Sequence, residues 1–151
     1  MLKQINSVFL ADDDDDDCFL FREALREVAL STKLTILNNG EELMQWLTKA
    51  PNQFPDILFL DLNMPRKNGF ECLEEIKQNK TLKDLVVVIF STSLQDDIAD
   101  KLYTNGAHYF MRKPSTYEEL KKLIQLAMLT IQRSKAAEIF SQPHKENFVL
   151  S

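Results

Sequence analysis

The residues from Ile57 to Pro65, ILFLDLNMP, decide the fold class. Four consecutive apolar residues lead into Asp61, and Gly69 follows eight positions later. A short, uninterrupted apolar run bounded by turn-forming residues is typical of a strand buried on both faces, as the central strands of parallel sheets are. Asp61 then stands at the carboxyl end of that strand, where open α/β sheets bind their ligands. An aspartate there is also a common turn-former, so the other strand ends must decide between a site and a turn.

Apolar runs and helical periodicities alternate along the rest of the chain. Besides the strand before Asp61, we predict strands at 7–11, 34–37, 86–90 and 108–111. Between and after them, apolar residues at helical spacing predict helices at 18–29, 41–49, 69–78, 96–104 and from about 115 onward. Five β-α units of this length predict an α/β fold, a doubly wound five-stranded parallel sheet with helices on both faces.

Length and composition indicate one globular domain. The chain has 151 residues, and 44% of them are hydrophobic, which is ordinary for a globular protein. We expect residues 1–135 to form this domain and residues 136–151 to form a C-terminal tail, with no separate effector domain. The apolar runs are too short to span a membrane, which needs about 20 residues. Two cysteines and no signal-peptide pattern at the start favour a reduced, cytoplasmic protein.

The net charge of -5 comes from one segment. Six of the 23 acidic residues form the unbroken run from Asp12 to Asp17. The other 17 acids are balanced by 18 basic residues, so the acidity is local and nothing indicates a nucleic-acid surface. We interpret Asp15 to Asp17 as a solvated acidic cap on the first helix, and Asp12 and Asp13 as ligands.

Polar side chains follow four of the predicted strands, where parallel strands end at the same edge of the sheet. These residues are Asp12 with Asp13, Asp61, Ser91 and Lys113. Phosphoryl transfer needs a nucleophile, a metal ion that neutralises charge, and donors for the phosphoryl oxygens. Asp61 can be the carboxylate nucleophile, and Asp12 and Asp13 can hold Mg²⁺. Ser91 can donate a hydroxyl and Lys113 a cation.

These residues resemble the receiver domain of two-component response regulators, the CheY-like family. The resemblance covers roughly residues 6–133, and the spacings of 30 and 52 residues from Asp61 to Ser91 and to Lys113 fit without gaps. It implies a flavodoxin-like strand order of 2-1-3-4-5 and acceptance of a phosphoryl group on the family's aspartate. The family's acid pair, phosphoacceptor, Ser/Thr and Lys-Pro are matched in turn by Asp12-Asp13, Asp61, Ser91 and Lys113-Pro114.

The resemblance also implies a role for each matched residue. Asp13 would bind Mg²⁺ directly, Asp12 would assist through water, and Asn63 would offer its backbone carbonyl. Ser91 and Phe110 would be the switch residues, although Phe110 replaces the common tyrosine and lacks its hydroxyl. The peptide bond between Lys113 and Pro114 would be cis, since a cis bond can turn the chain sharply while the lysine points back toward the phosphoryl group.

The same resemblance indicates the partners. A sensor histidine kinase or a histidine phosphotransfer domain would supply the phosphoryl group, and output would pass to an unknown downstream protein; a homodimer stays open. The chain looks similar to the single-domain regulators associated with phytochrome-type and hybrid sensor kinases. One alternative is a dehalogenase-like Mg²⁺ phosphatase, but its second acid is replaced by Asn63, which cannot protonate a leaving group. The other is a phosphorylation-independent interaction module, against which the intact acid pair and Lys113 argue.

Overall fold

The computed structural model describes residues 4–49, 53–92, 95–136 and 142–151. Six strands and five α-helices follow one another along the described chain, with a 3-10 helix at Lys145–Asn147. The strands are β1 (Ser7–Ala11), β2 (Lys33–Leu37), β3 (Ile57–Leu60), β4 (Val87–Ser91), β5 (Tyr109–Arg112) and β6 (Val149–Leu150). The helices are α1 (Asp15–Val28), α2 (Gly40–Lys49), α3 (Gly69–Gln78), α4 (Asp96–Thr104) and α5 (Tyr117–Ala136).

The strands form one sheet in the order β2-β1-β3-β4-β5-β6, and every neighbouring pair is parallel. The α/β fold class and the predicted order of the first five strands are therefore confirmed. Every residue of β3 and of β4 is buried, as expected for the central strands of a sheet that is covered on both faces.

Helices cover both faces of the sheet, as predicted. Alternate residues of each strand point to opposite faces, so Phe9 and Leu10 of β1 belong to different cores. The core that contains Phe9 is completed by α2, α3 and α4, whereas α1 and α5 complete the core that contains Leu10. The sheet is thus fixed between two helical layers, and its carboxyl edge is left for the loops.

The first turns of α1 and α3 are fixed by caps. The side chain of Asp14 accepts a hydrogen bond from the backbone N of Asp17 at 2.9 Å, and the acids of the first turn of α1 suit the positive end of the helix dipole. Asn68 and Glu71 form a capping box at the start of α3. These caps hold the loops that follow β1 and β3.

The expectation of five strands is wrong, because the C-terminal residues add a sixth. Val149–Leu150 pairs in parallel with β5, and the backbone N of Phe110 donates to the carbonyl of Phe148 at 2.9 Å. The buried ring of Phe148 lies 5.4 Å from that of Tyr103 and 6.5 Å from that of Phe110, between centroids. An uncovered edge strand presents unpaired backbone groups, and this segment pairs them while it buries the side chains of Phe148 and Leu150.

None of the helices within the described residues is long and apolar enough to cross a membrane.

Candidate functional site

The loop after β1 fixes a buried carboxylate. The backbone N of Asp12 donates to the carbonyl of Leu37 on β2 at 3.0 Å, which continues the sheet by one residue. Its Oδ1 accepts from the backbone N of Asp14 at 3.0 Å, and its carbonyl accepts a contact from Cys18 Sγ at 3.4 Å. Asp12 is fully buried, whereas its neighbour Asp13 is exposed at the rim.

Asp61 occupies the corresponding position after β3. Its backbone N donates to the carbonyl of Ala11 at 3.0 Å, and its side chain is buried. Gly69 packs directly beneath it, because a Cβ built on Gly69 would lie 2.3 Å from the Asp61 carbonyl oxygen. The glycine eight positions after the acid is therefore required for close approach of α3 to the backbone of the candidate acceptor. Asn63 lies exposed in the same loop.

Ser91 and Lys113 meet through their backbones at the ends of β4 and β5. The N of Lys113 donates to the carbonyl of Ser91 at 2.8 Å. The predicted cis bond between Lys113 and Pro114 is wrong, since no peptide bond of the described residues is cis. A trans bond suffices because the long lysine side chain reaches the carboxylates from this backbone position.

Lys113 is the centre of the site. Its Nζ lies 2.8 Å from Asp12 Oδ2, 2.9 Å from Asp17 Oδ2 and 3.7 Å from Asp61 Oδ2, with only 10% of the side chain exposed. Carboxylate oxygens of Asp12, Asp13 and Asp61 all lie within 4.8 Å of one another. The structure thus brings together the acids and the lysine that the sequence predicted.

Burial dominates the electrostatics of the two inner acids. It raises the pKa of Asp12, and it raises the pKa of Asp61 to about 6, although the nearby Lys113 opposes both shifts. Burial alone would lower the pKa of Lys113, but the carboxylates of Asp12 and Asp17 close to its ammonium raise it above its usual value. Lys113 is therefore charged at neutral pH, and the acids beside it are destabilised as anions.

Two buried oxygens at the site have no hydrogen-bond partner among the described residues. Asp12 Oδ2 has the Lys113 ammonium as a charge partner, but no donor is aligned with it for a hydrogen bond. Ser91 Oγ is buried without a hydrogen-bond partner among the described residues. Buried polar atoms are normally satisfied, so these oxygens fit ligands that enter the site. Clustered carboxylates are the donors that a hard divalent cation such as Mg²⁺ takes.

The sequence interpretation missed Asp17. It was assigned to a solvated cap, yet its carboxylate accepts a 2.9 Å hydrogen bond from Lys113, which is 96 positions away. No sequence pattern links Asp17 to Lys113, and the two residues meet because α1 packs beside α5, the helix that follows β5. For Asp15 and Asp16 the interpretation is consistent with their exposure.

Phe110 is in the core and not at the rim of the site. It is fully buried on β5, and its ring faces that of Phe148. Its role as a switch residue stays a prediction.

A family model for the response regulator receiver domain matches residues 8–125. The chain belongs to this family. It is 32% identical over 122 residues to the response regulator Rcp1 of Synechocystis, an alignment that covers 78% of this chain and 83% of the relative. The chain also aligns, at 26% identity over 121 residues, with a probable methanogenesis regulatory protein, FilR2, of Methanothrix harundinacea, covering 78% of each.

Solved receiver structures superpose on this fold. The phosphorylated cyanobacterial phytochrome response regulator RcpA has a TM-score of 0.77 at 29% identity, with 87% of this chain and 96% of that chain covered. The Mn²⁺-bound form of Rcp1 has a TM-score of 0.72 at 31% identity, with coverage of 80% and 89%. The chain is therefore a CheY-like receiver that is similar to phytochrome response regulators, and it accepts a phosphoryl group in two-component signalling. Neither a phosphatase nor a phosphorylation-independent module is favoured.

Proposed function

We propose that Asp61 is the residue that accepts the phosphoryl group. One observation carries this assignment. Among the clustered acids, Asp61 follows the central strand β3 and lies beside Lys113. Its Oδ2 is 3.7 Å from the ammonium, which is outside hydrogen-bond distance. An oxygen of Asp61 attacks phosphorus, the bond from phosphorus to the donor breaks, and its electron pair leaves with the donor. Water later removes the group from Asp61 by the same in-line chemistry, without a separate enzyme.

Mg²⁺ is the metal that we propose for this site. Asp12, Asp13 and Asp61 would hold it through their carboxylates, and Asn63 through its backbone carbonyl. When bound, it would neutralise charge on the transferring group. Among the residues themselves, Asp13 keeps its exposed carboxylate open to water at the rim, whereas Asp12 directs a buried oxygen into the site.

Ser91 and Lys113 would bind the phosphoryl oxygens. Ser91 has a buried hydroxyl with no other partner among the described residues, so it is free to donate to an oxygen that arrives at Asp61. Lys113 supplies an ammonium that is already inside the site, 10% exposed, and it would add a charge-assisted hydrogen bond. As the group binds, these two residues and Phe110 would transmit the change to β4 and β5.

The donor is a protein in this proposal, a sensor histidine kinase or a histidine phosphotransfer domain. Beside the acid loop, Phe19 is 57% exposed and Leu20 is 40% exposed on the surface of α1. Such apolar surface near the acceptor suits a docked protein better than a small molecule. Output would pass to an unknown downstream protein in the cytoplasm, and a homodimer is compatible with this scheme. Residues 1–135 would form the receiver domain, and residues 136–151 would form its C-terminal tail.

Incubation with acetyl phosphate and Mg²⁺, followed by intact-mass spectrometry, tests the assignment. The wild-type protein should gain one acid-labile phosphoryl group, and Asp61→Asn should gain none, because an amide is a poor nucleophile. Asp16→Asn is the matched control, since it removes an exposed acid of the same acidic run. Uptake by Asp61→Asn at the wild-type rate would show that another residue is the acceptor.

A further inference from the structure

Asp17 has no part in the proposed chemistry, yet it makes the best-formed contact of the site lysine. Of the three carboxylates around Lys113, Asp17 is the one that accepts a side-chain hydrogen bond of good geometry, at 2.9 Å. Asp12 is at 2.8 Å without aligned geometry, and Asp61 is at 3.7 Å. Asp17 is therefore the carboxylate that accepts a hydrogen bond from the ammonium, although Asp12 is equally near.

We propose that Asp17 is a positioning residue that holds the ammonium of Lys113 at the outer side of the site, so that Lys113 must leave Asp17 in order to pair with an incoming phosphoryl group. This inference rests on the proposed function of Asp61 and Lys113. It gives Asp17 a regulatory effect on phosphoryl uptake: the residue restrains uptake and does not assist it.

Asp17 can act in this way because its own position is fixed. It lies in the first turn of α1, where its backbone N donates to the capping carboxylate of Asp14 at 2.9 Å. Its side chain is 35% exposed, so it lies between the solvent and the buried ammonium. The ring of Phe90 stands 5.4 Å from Lys113 Nζ and limits where the ammonium can move. On the inner side, the ammonium lies 2.8 Å from Asp12 Oδ2 and 3.7 Å from Asp61 Oδ2.

The other two carboxylate partners of Lys113 would take new roles when the metal and the phosphoryl group bind. Asp12 would be engaged by the metal, and Asp61 would carry the phosphoryl group. Asp17 is outside the group of acids that could share a metal ion, which contains Asp12, Asp13 and Asp61. It therefore stays a competitor for the ammonium throughout the reaction.

Asp17→Ala tests the inference, with Asp16→Ala as its matched control. Both variants remove one acid from the first turn of α1. Asp16, however, is exposed and forms no ion pair within the part of the chain that the structure describes. The rate of phosphoryl uptake from acetyl phosphate at saturating Mg²⁺ should rise in Asp17→Ala by about two- to fivefold over Asp16→Ala, the range of a partly exposed ion pair.

A second readout needs no phosphoryl transfer. Once released from Asp17, Lys113 can move fully onto Asp12 and Asp61, where it competes with the metal. Calorimetric titration with Mg²⁺ alone should therefore give a larger dissociation constant for Asp17→Ala than for Asp16→Ala. In a Lys113→Gln background both differences should disappear, because the competing cation is gone. If Asp17 only stabilised α1, the differences between Asp17→Ala and Asp16→Ala would persist in the Lys113→Gln background.

Each result decides the question. Equal behaviour of the two alanine variants, slower uptake in Asp17→Ala, or differences that persist with Lys113→Gln would overturn the inference. Failure of the proposed function gives a different pattern, in which Asp61→Asn still gains the phosphoryl group. In that case the Mg²⁺ titrations still report whether Asp17 controls the position of Lys113.

Discussion

Replacing Asp61 with asparagine should stabilise the metal-free protein. Burial raises the pKa of Asp61 from 3.8 to about 6, which means that the folded state disfavours its charged form. At 1.36 kcal/mol per pKa unit, this corresponds to about 3 kcal/mol above the folded pKa. For a domain of this size, it would raise the melting temperature by up to about 6 to 12 °C. Lys113 keeps Asp12 and Asp17 as partners in Asp61→Asn, so the substitution does not leave a buried cation unpaired.

The gain should depend on pH in a defined direction. Folded Asp61 keeps its proton up to a pH of about 6, whereas the unfolded carboxyl loses it near 3.8. Raising the pH between these values ionises the unfolded chain first, and this lowers the free energy of unfolding of the wild-type protein. Asp61→Asn has no such proton to lose. The gain in the free energy of unfolding of Asp61→Asn should therefore be absent below pH 3.8, grow between pH 3.8 and about 6, and stay constant above about 6.

Urea unfolding in EDTA across this pH range measures the effect, with the exposed Asp16→Asn as control. Addition of Mg²⁺ should then reverse the order of stability, because binding stabilises the wild-type protein by about 4.1 kcal/mol at a thousandfold excess over Kd, which exceeds the advantage of Asp61→Asn. An advantage that does not change with pH, or an Asp61→Asn protein that unfolds more easily above a pH of about 6, would refute the reasoning.

Three further substitutions test the fold and the site. Phe148→Ala should lower the free energy of unfolding by about 3 to 5 kcal/mol, because it removes a buried aromatic side chain. Val149→Ala should lower it far less, because Val149 is 40% exposed. Urea unfolding measures both values. Gly69→Ala should lower stability and slow phosphoryl uptake, since its Cβ would meet the Asp61 carbonyl oxygen at 2.3 Å. Melting curves measure the stability and mass spectrometry measures the uptake. An unchanged melting temperature with an unchanged uptake rate would exclude this contact. Lys113→Gln should bind Mg²⁺ more tightly, because a cation that competes for the acids is removed; weaker binding by calorimetry would mean that the lysine supports the metal site.

The sequence predicted those parts of the molecule that depend on local patterns and on the geometry of parallel sheets. Uninterrupted apolar runs identify β3 and β4 without knowledge of their neighbours. Because parallel strands end at a common edge, residues that follow different strands, such as Asp12, Asp61 and Lys113, could be expected to meet. The distances between their charged atoms agree with that expectation.

The features that were missed depend on contacts between distant segments. The two residues of β6 are too few to give a periodic pattern, and their strand conformation depends on the free edge of β5. The contact of Asp17 with Lys113 depends on where α1 packs, and the acidic run around it offers several equivalent carboxylates. The cis bond expected at Pro114 came from the resemblance and from the need to turn Lys113 toward the site, but the lysine side chain reaches the carboxylates without it.

The charges at the sheet edge also predict the order in which the metal ion and the phosphoryl donor bind. The carboxylates of Asp12, Asp17 and Asp61 lie around the ammonium of Lys113, and that of Asp13 lies close to those of Asp12 and Asp61. This excess of negative charge would repel a negatively charged phosphoryl donor from the metal-free site. We therefore expect a divalent cation to bind before the phosphoryl donor. The same cation would compete with Lys113 for Asp12 and would free the ammonium for the phosphoryl oxygens. Because burial destabilises the acids as anions, we expect phosphoryl uptake to depend on the metal.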